Sequence, residues 1–514
     1  MDLQFSNLGE MIESRAGDSK DKTVLRFYDR DISYGELNEM SSRIALGLYN
    51  MGIRKGDRVC IMMDNSPEYY YAYLGINRLG AIAGPVNCWW QSEEIRYLIN
   101  DSGAVAIFVD EVYREQITRI MEATPDLNQV ILHGGDDGAF HSFSDLLETE
   151  GPCPDAEINT EDVSTIVYTS GTTGNPKGVL LTHGNILTNS FQAGKLADIH
   201  DDDVVMCFLP LFHVNGLVIT GTAPMCAGAQ IVLRKNFSAS EFWECVSRYR
   251  VSIFSGVPTV YQILLGNGAG EDIDVSSLRY GVCGAAPMPV ETIRSFEERF
   301  NMIIIEGYGL TEATAGATAN PIEGERKIGS IGIPFEDSEI KLFDDEDNEV
   351  PQGEVGEIVI RGGNVMKGYF NRPDETADTL KNGWLHTGDM AYMDSDGYLF
   401  IVDRKKEMII RGGENIYPKE LEEIMFRHPA VQEVAVIGMP DRIYGEEVLA
   451  CIVLREGESL TGEEFIEWCG ENMASYKVPR FVEIRESLPK NILGKLLKKE
   501  LKNLLKKEGK LQAV

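Results

Sequence analysis

The sequence predicts an α/β protein: a large N-terminal domain of α/β sheet layers with a small β-rich lobe, followed by a small α+β domain. Its 514 residues exceed the roughly 250–300 residues at which one hydrophobic core stops growing, so at least two domains are expected. Short apolar segments alternate with helical periods over residues 23–233 and again over 238–305. Glycine-punctuated strands follow over 329–403, and strand and helix alternate once more from residue 405.

The individual elements support this order. A helical period covers residues 34–51, and short apolar runs typical of buried strands occur at 58–63, 104–109, 129–132, 252–254 and 302–305. Strands that alternate with helices favour parallel sheets. The segment EVGEIVIRG, residues 354–362, indicates the β-rich lobe. We place the domain boundary between residues 404 and 405, which gives domains 1–404 and 405–514.

Composition and charge exclude several classes of function. The chain is 43% hydrophobic and 25% charged, as globular proteins are. A net charge of −33 repels phosphate backbones and anionic lipid, which argues against a nucleic-acid partner. The nine cysteines show no C-x-x-C pair and indicate reduced core residues. The N-terminus lacks the pattern of a signal peptide, and residues 217–233 are too broken to span a membrane, so we expect a cytoplasmic protein.

A phosphate-binding loop is predicted at YTSGTTGNPKG, residues 168–178, directly after the apolar run 163–168. Glycines let backbone N–H groups approach anionic oxygens, while hydroxyls and a lysine add donors and positive charge. A Walker loop needs a glycine where this chain has Pro176, so the loop is of another type. The predicted nucleotide-binding residues are Thr169, Ser170, Gly171, Thr172, Thr173, Gly174 and Lys177.

This loop resembles the signature of the adenylate-forming superfamily, which comprises acyl-CoA synthetases, adenylation domains of peptide synthetases and luciferases. The resemblance extends over essentially the whole chain. It implies that the C-terminal domain is mobile, with a hinge at Lys406, and that ATP, Mg²⁺ and CoA take part in the reaction. It also implies roles for residues in several later motifs.

Two of these motifs lie between residues 284 and 312. EGYGLTE, residues 306–312, follows an apolar strand and offers a hydroxyl and a carboxylate, which suit a phosphate and Mg²⁺. By resemblance, Tyr308 stacks on adenine, Thr311 contacts the α-phosphate and Glu312 holds the metal. The segment GAAP resembles the wall of the adenine site, which it forms through Gly284, Ala285 and Ala286.

Four further motifs lie nearer the C-terminus. By resemblance, Asp389 of WLHTGD binds the ribose hydroxyls and Arg404 contacts the ribose or a nearby phosphate. Lys495 of PKNILGK is implied as the catalytic lysine, which neutralises charge while the carboxylate attacks the α-phosphate. The other lysines of the tail are expected to be solvated. The loop RGGEN is implied to line the CoA channel through Gly412, Gly413 and Glu414, although a purely structural turn stays open.

The acid site is predicted around PLFHVNG, residues 210–216, which resembles the family's acyl segment. The implied acyl-binding residues are His213, Val214, Asn215 and Gly309. Small residues over 309–317 should leave room for a group larger than acetyl, and Trp89 and Trp90 could line or cap the pocket. No acidic residue stands at 214 or 215 to pair with an amino acid's ammonium. We therefore expect a cyclic, aromatic or medium-chain apolar acid.

The resemblance implies that the enzyme converts ATP, a carboxylate and CoA to acyl-CoA, AMP and pyrophosphate through an acyl-adenylate. The direction used in the cell stays open, since the reaction is nearly balanced. Alternatives are an adenylating enzyme that loads a carrier protein, a luciferase-like oxygenase and a catalytically degenerate nucleotide-binding regulator. The leucines over residues 493–505 form a stripe that we expect to pack on the small domain. Weak membrane-surface contact of this basic helix and a homo-oligomer stay open.

Overall fold

The computed structural model describes residues 3–135, 138–169, 176–270, 272–284, 288–412, 414–490 and 496–511, with backbone alone at 414 and 415. The chain divides into two compact units. The first unit contains the residues up to Ile340 together with Ile360–Leu385. The second unit contains Lys341–Val359 and the residues from His386 onward. The second unit thus also takes in residues from before position 405, and the boundary at 404/405 stays a prediction.

The strands of the described chain are, in order, β1 (Thr23–Phe27), β2 (Arg30–Ser33), β3 (Arg58–Met62), β4 (Ile82–Pro85), β5 (Ala106–Asp110), β6 (Gln129–His133), β7 (His141–Ser142), β8 (Val163–Thr169), β9 (Lys177–Thr182), β10 (Val204–Cys207), β11 (Gln230–Leu233), β12 (Ile253–Gly256), β13 (Tyr280–Cys283), β14 (Ile303–Tyr308), β15 (Thr318–Ala319), β16 (Ile333–Pro334), β17 (Ser338–Phe343), β18 (Gly356–Gly362), β19 (Gly368–Tyr369), β20 (Leu380–Lys381), β21 (Trp384–Met393), β22 (Leu399–Arg404), β23 (Ile409–Arg411), β24 (Glu414–Ile416), β25 (Val431–Asp441), β26 (Gly445–Leu454) and β27 (Phe481–Ile484).

The helices are α1 (Leu8–Asp18), α2 (Tyr34–Asn50), α3 (Pro67–Arg78), α4 (Ser92–Ser102), α5 (Arg114–Ile120), α6 (Phe143–Leu147), α7 (His183–Leu196), α8 (Ala223–Ala227), α9 (Ala239–Tyr249), α10 (Pro258–Asn267), α11 (Val290–Phe300), α12 (Pro373–Thr379), α13 (Pro418–Met425), α14 (Gly462–Asn472) and α15 (Lys498–Lys507). Short 3₁₀ turns cover Glu111–Tyr113, Met121–Ala123 and Thr311–Ala313, and a π-helix covers Asn215–Thr222. Over the part of the chain that the structure describes, no helix is long and apolar enough to cross a bilayer.

Two sheets organise the first unit. Their strand orders over the described residues are β16-β15-β14-β13-β12-β10-β11-β1-β2 and β19-β9-β8-β4-β3-β5-β6-β7. The central pairs β10–β12, β12–β13 and β13–β14 are parallel, as are β3–β4, β3–β5 and β5–β6. The prediction of parallel α/β layers is confirmed. Because the carboxyl ends of parallel strands meet at one edge, the residues after β12, β13 and β14 are neighbours, as binding residues of α/β sheets commonly are.

Helix α3, which connects β3 to β4, is buried along its whole length. It begins with Pro67 after Ser66, whose hydroxyl accepts a hydrogen bond from the N–H of Tyr69 at 3.1 Å. The Tyr73 hydroxyl lies 3.0 Å from Thr165 of β8, and the Tyr69 hydroxyl donates to the Leu211 carbonyl at 3.1 Å. Tyrosine suits positions 69 and 73 because its ring is apolar while its buried hydroxyl forms a hydrogen bond.

The core of the second unit follows the two-residue period of its long hairpin, β25 and β26. Side chains on one face pack under α13 and α14, through Leu421 and Phe465 among others. Side chains on the other face pack against α15, where Leu501 and Leu505 are fully buried. Alternation of this kind is expected for a sheet covered on both faces. The leucine stripe of the tail therefore packs on this unit at Leu501 and Leu505, while Leu504 is 40% exposed.

Candidate active site

Several predicted site residues lie outside the described residues: Ser170, Gly171, Thr172, Thr173, Gly174, Ala285, Ala286, Gly413 and Lys495. The side chain of Glu414 is likewise outside the described atoms, and only its backbone is placed, in β24. The remaining predicted residues fall into a group in the first unit and a group in the second.

The predicted phosphate loop is flanked by two antiparallel strands of the first unit. Strands β8 and β9 pair so that Thr169 lies opposite Lys177. The Lys177 ammonium forms an ion pair with Glu375 of α12, and its Nζ lies 5.0 Å from the centre of the Tyr369 ring. This pairing with Lys177 lowers the pKa of Glu375. In this structure the lysine predicted to meet phosphate is thus neutralised by a carboxylate.

Glu312 lies beside the same group. Its Oε1 accepts a hydrogen bond from the Tyr369 hydroxyl at 2.8 Å, and its carbonyl accepts one from the N–H of Met366 at 2.8 Å. Burial and the neighbouring Glu312 charge raise the pKa of Tyr369, so the phenol stays protonated and donates. Tyr369 thus contacts both Glu312 and Lys177. The structure brings these two separately predicted residues together through it.

The turn between β14 and β15 is folded so closely that it requires glycine. A Cβ atom on Gly309 would lie 1.7 Å from the Ala315 carbonyl oxygen, and one on Gly316 would lie 2.7 Å from the Phe335 ring. The Tyr308 carbonyl accepts from the N–H of Ala317 at 2.8 Å. The small residues here serve close packing of the backbone. The expectation that they also leave room for the acyl group stays a prediction.

Three of the four predicted acyl-binding residues stand at the start of the π-helix Asn215–Thr222, which His213 and Val214 directly precede. π-Helical turns are rare and occur frequently at functional sites. A Cβ on Gly284, just after β13, would lie 3.9 Å from the Asn215 Nδ2, so these two predicted residues are neighbours. The Asn215 Oδ1 is buried, and no described group donates a hydrogen bond to it. A small apolar cavity adjoins the π-helix and is lined by residues that include Ile219, Thr220 and Val282.

His213 stands at the end of a short series of aromatic rings. The Phe212 ring lies 4.7 Å from the His213 ring and 5.1 Å from the Trp89 ring, which it meets at an interplanar angle of 89°. Burial lowers the pKa of His213 to about 4, so its imidazole is neutral near pH 7. Trp89 and Trp90 are both partly buried. The predicted acid-binding segment is thus aromatic and uncharged.

In the second unit, the two predicted ribose-binding residues are direct partners. Asp389 of β21 lies opposite Arg404 of β22, and the Arg404 Nε is 3.0 Å from the Asp389 Oδ1. The Asp389 side chain is buried, whereas Arg404 is 46% exposed. A buried carboxylate with an exposed guanidinium beside it can accept hydrogen bonds on one side and bind an anion on the other.

The predicted hinge lies in the turn after β22. Lys406 is exposed there, in the segment that connects β22 to β23. The turn is closed by a hydrogen bond from the N–H of Glu407 to the carbonyl of Arg404 at 2.8 Å. Its neighbour Lys405 is held instead, with Nζ 2.8 Å from Asp345 and 3.2 Å from Glu357. An exposed side chain in a short turn is compatible with rotation about this position.

Gly412 of the predicted CoA loop has φ of +62°, a conformation that favours glycine. Its N–H donates to the Tyr444 carbonyl at 2.8 Å, and a Cβ here would lie 3.2 Å from the Tyr444 ring. The adjacent Arg411 stacks over that ring at 4.3 Å and pairs with the buried Glu447. The glycine is therefore required by the turn, whatever else the loop binds.

One lysine of the tail contradicts the expectation that all are solvated. Lys498 is 13% exposed, and its Nζ lies 2.8 Å from Glu422 and 3.4 Å from Glu407. Although burial alone would lower the pKa of Lys498, the charges of Glu422, Asp403 and Glu407 raise it. A buried lysine is stable when carboxylates surround it in this way.

Sequence reasoning missed Tyr369, Glu375 and Lys498. The first two lie within GYFNRPDET, residues 368–376, where a tyrosine after a glycine and a carboxylate after a proline are unremarkable individually. Only the pairing of β19 with β9 places them beside Lys177. The burial of Lys498 was detectable in principle, because it stands three and seven residues before Leu501 and Leu505 on one helical face.

A magnesium ion, which the resemblance implies, was tested against the available ligands. Among the residues that the structure describes, no group of three or more His, Cys, Asp or Glu side chains could form a metal cage. Mg²⁺ is commonly bound through one or two carboxylates together with substrate phosphates. A single carboxylate such as Glu312 fits that arrangement.

Comparisons with known proteins agree on one family. The family model described as AMP-binding enzyme matches residues 12–370, and the model described as AMP-binding enzyme C-terminal domain matches residues 420–495. A crotonobetaine/carnitine–CoA ligase of Salmonella choleraesuis is 38% identical over 96% of this chain and 99% of its own. The corresponding ligase of Salmonella typhi is 37% identical with the same coverage.

Solved structures are similar over nearly the whole chain. The anthranilate–CoA ligase AuaEII in complex with anthranoyl-AMP has a TM-score of 0.88 at 29% identity, covering 98% of each chain. ATP-bound MatB of Rhodopseudomonas palustris has a TM-score of 0.89 at 29% identity, covering 97% and 99%. The o-succinylbenzoate–CoA synthetase MenE of Bacillus subtilis, with its acyl-adenylate, has a TM-score of 0.84 at 31% identity, covering 97% and 98%.

Proposed function

We propose that this chain, which belongs to the AMP-binding enzyme family and is an AMP-forming carboxylate–CoA ligase, activates a cyclic, aromatic or medium-chain apolar acid. The reaction proceeds through an acyl-adenylate. The observation that carries the choice of acid is the uncharged segment at His213 with its series of aromatic rings. Its imidazole is neutral, the rings of Phe212 and Trp89 pack in series beside it, and residues 210–216 contain no acidic side chain.

The apolar lining of the small cavity beside the π-helix agrees with this choice. Ile219 and Val282 line it, so the surface that the π-helix presents there is mainly hydrocarbon. An amino acid would place its ammonium in this region with no carboxylate of segment 210–216 to balance the charge, which costs several kilocalories in a dry site.

A second candidate is an acid with a quaternary ammonium group, such as the crotonobetaine or carnitine named for the Salmonella relatives. Aromatic rings bind such cations through the negative faces of their π-systems. The series Trp89, Phe212 and His213 offers three neighbouring rings. A trimethylammonium group needs no hydrogen bonds, so the absence of a carboxylate in segment 210–216 does not exclude it.

In the proposed first half-reaction, the carboxylate attacks the α-phosphorus of ATP and pyrophosphate leaves. Lys177 and the loop 169–174 bind the phosphates, Thr311 donates to the α-phosphate, and Lys495 neutralises the charge that develops between the reacting groups. Tyr308 and Gly284 flank the adenine. The acid is held at His213 and Asn215 for in-line attack.

Glu312 would hold Mg²⁺, which supplies charge neutralisation to the phosphate oxygens when bound. In the second unit, Asp389 accepts from the ribose hydroxyls, and its partner Arg404 fixes the carboxylate while facing solvent and phosphate. The salt bridge between these two residues, at 3.0 Å, supports this assignment because it pre-orients the acceptor before the nucleotide arrives.

In the second half-reaction, the CoA thiol attacks the acyl carbonyl and AMP leaves. We assign the pantetheine approach to Gly412, Gly413 and Glu414, with rotation about Lys406 exchanging this segment for that of Lys495. The exposed side chain of Lys406 is compatible with this role.

The choice of acid is tested by acyl-CoA formation across a panel: acetate, octanoate, benzoate, cyclohexanecarboxylate, crotonobetaine, carnitine and phenylalanine. We expect kcat/KM to be highest on an apolar acid. Replacing Phe212 with leucine, which keeps the apolar volume but removes the ring, should affect apolar acids little. A maximum on crotonobetaine or carnitine that the Phe212→Leu variant loses would instead establish the second candidate.

A further inference from the structure

Tyr369 connects the two charged groups that the proposed function assigns to MgATP. Its hydroxyl donates to the Glu312 Oε1 at 2.8 Å, and its ring face lies 5.0 Å from the Lys177 Nζ. Both contacts are made by one partly buried side chain in the first unit. A phenol can orient a carboxylate through its hydroxyl and an ammonium through its ring at the same time.

The backbone of Tyr369 is itself held firmly. In the short strand β19 it pairs with Val179 of β9, two residues beyond Lys177. Its N–H donates to the Thr376 hydroxyl at 2.9 Å, and the next residue, Phe370, donates to the Gly178 carbonyl at 2.8 Å. The tyrosine therefore moves as one piece with the strand that carries Lys177.

Glu312, by contrast, sits in a single 3₁₀ turn, Thr311–Ala313, which is followed by Thr314 with φ of +68°. A carboxylate on so short a turn has several rotamers open to it unless a partner selects one. The Tyr369 hydroxyl is that partner, since its hydrogen bond fixes one of the two carboxylate oxygens.

We propose that Tyr369 is a positioning residue for adenylation, which sets the Glu312 carboxylate relative to the Lys177 ammonium so that both meet the same triphosphate. This inference rests on the proposed roles of Glu312 and Lys177. In this proposal Tyr369 contacts neither the metal nor the phosphates. It acts through the residues that do, as supporting hydrogen bonds behind metal ligands commonly do.

The test is the substitution Tyr369→Phe, which keeps the ring over Lys177 and removes only the hydroxyl. Binding of Mn²⁺ to the full-length protein with α,β-methylene ATP is followed by electron paramagnetic resonance, so the readout does not depend on turnover. Because the lost hydrogen bond is to a charged but partly exposed group, Mn²⁺ affinity should fall about tenfold.

Tyr71→Phe is the matched control, because it removes another phenol–carboxylate hydrogen bond of the first unit, to Glu36 at 3.0 Å between α2 and α3. It should lower the urea midpoint of unfolding and leave Mn²⁺ affinity unchanged. Glu312→Gln should weaken Mn²⁺ more than Tyr369→Phe does, and the double variant should be no weaker than Glu312→Gln alone.

The outcomes separate the two claims. If Glu312→Gln weakens Mn²⁺ and Tyr369→Phe binds it like the wild type, Tyr369 is not a positioning residue. If Glu312→Gln leaves Mn²⁺ affinity unchanged, the proposed metal role of Glu312 is overturned first. An equal loss in Tyr369→Phe and Tyr71→Phe would show a general effect of destabilisation and would also overturn the inference.

Discussion

Glu375 should hinder nucleotide binding, because it occupies the ammonium that we assign to the phosphates. Lys177 and Glu375 form an ion pair with side chains 28% and 37% exposed, and the triphosphate must displace that carboxylate. Ion pairs at this exposure contribute about 0.2–1 kcal/mol. Since 1.4 kcal/mol corresponds to a tenfold change in affinity, Glu375→Gln should tighten ATP binding by up to about fivefold. Salt should reduce the difference, as it screens exposed charges.

The measurement is isothermal titration of α,β-methylene ATP into the wild type, Glu375→Gln and Glu115→Gln. The last variant removes the same charge from an exposed pair on α5, with Arg119 at 2.9 Å, and controls for net charge. We expect tighter binding in Glu375→Gln alone, and the advantage should shrink between low and high salt. Unchanged or weaker binding in Glu375→Gln would refute the reasoning, since it would mean that the carboxylate does not compete with phosphate for Lys177.

Three further predictions follow from burial and backbone geometry. Lys498→Met leaves the carboxylates around it uncompensated and should lower the free energy of urea unfolding by about 3–5 kcal/mol. The exposed Lys506→Met should lower it by under about 1 kcal/mol, and similar losses of stability in the two variants would contradict the buried network. Because the pKa of His213 is about 4 in the native state and near 6.5 in the unfolded state, the free energy of unfolding should decrease as the pH drops through this window. The decrease should be less steep in His213→Gln. A native pKa near 6.5, measured by NMR, would contradict this prediction. Gly368 has φ of +147°, and a Cβ there would lie 2.8 Å from the Thr376 side chain. Gly368→Ala should therefore lower the melting temperature and weaken Mn²⁺ binding, as Tyr369→Phe does. An unchanged melting temperature and Mn²⁺ affinity would argue against a role for β19 in fixing Tyr369.

Much of the fold could be predicted from the spacing of hydrophobic residues along the chain alone. The helix expected at 34–51 is α2, ending at Asn50, and the strand expected at 58–63 is β3. Their boundaries were recoverable because the local signals are strong, as with Ser33, whose hydroxyl caps α2 by accepting from the N–H of Glu36 at 3.1 Å. The π-helix after His213 was not predictable, because it depends on tertiary packing rather than local sequence.

The family and reaction were predictable because the phosphate loop and its companion motifs are long and specific, and both are confirmed. Contacts between distant segments were not. Nothing in the sequence pairs β19 with β9, and so the meeting of Tyr369 with Lys177 and Glu312 became visible only in the structure. The individual roles of the site residues, including Lys495 and Asp389, stay predictions.

The most direct test of the proposed mechanism compares the two half-reactions in Lys495→Ala. Adenylate formation is measured by pyrophosphate–ATP exchange with the best acid of the panel, and thioester formation by adding CoA to preformed acyl-adenylate. The division of roles predicts that exchange falls by at least about a hundredfold, as expected when a charge-stabilising group is removed, while thioester formation changes little. Wild-type exchange in Lys495→Ala, or an equal loss in both half-reactions, would contradict it.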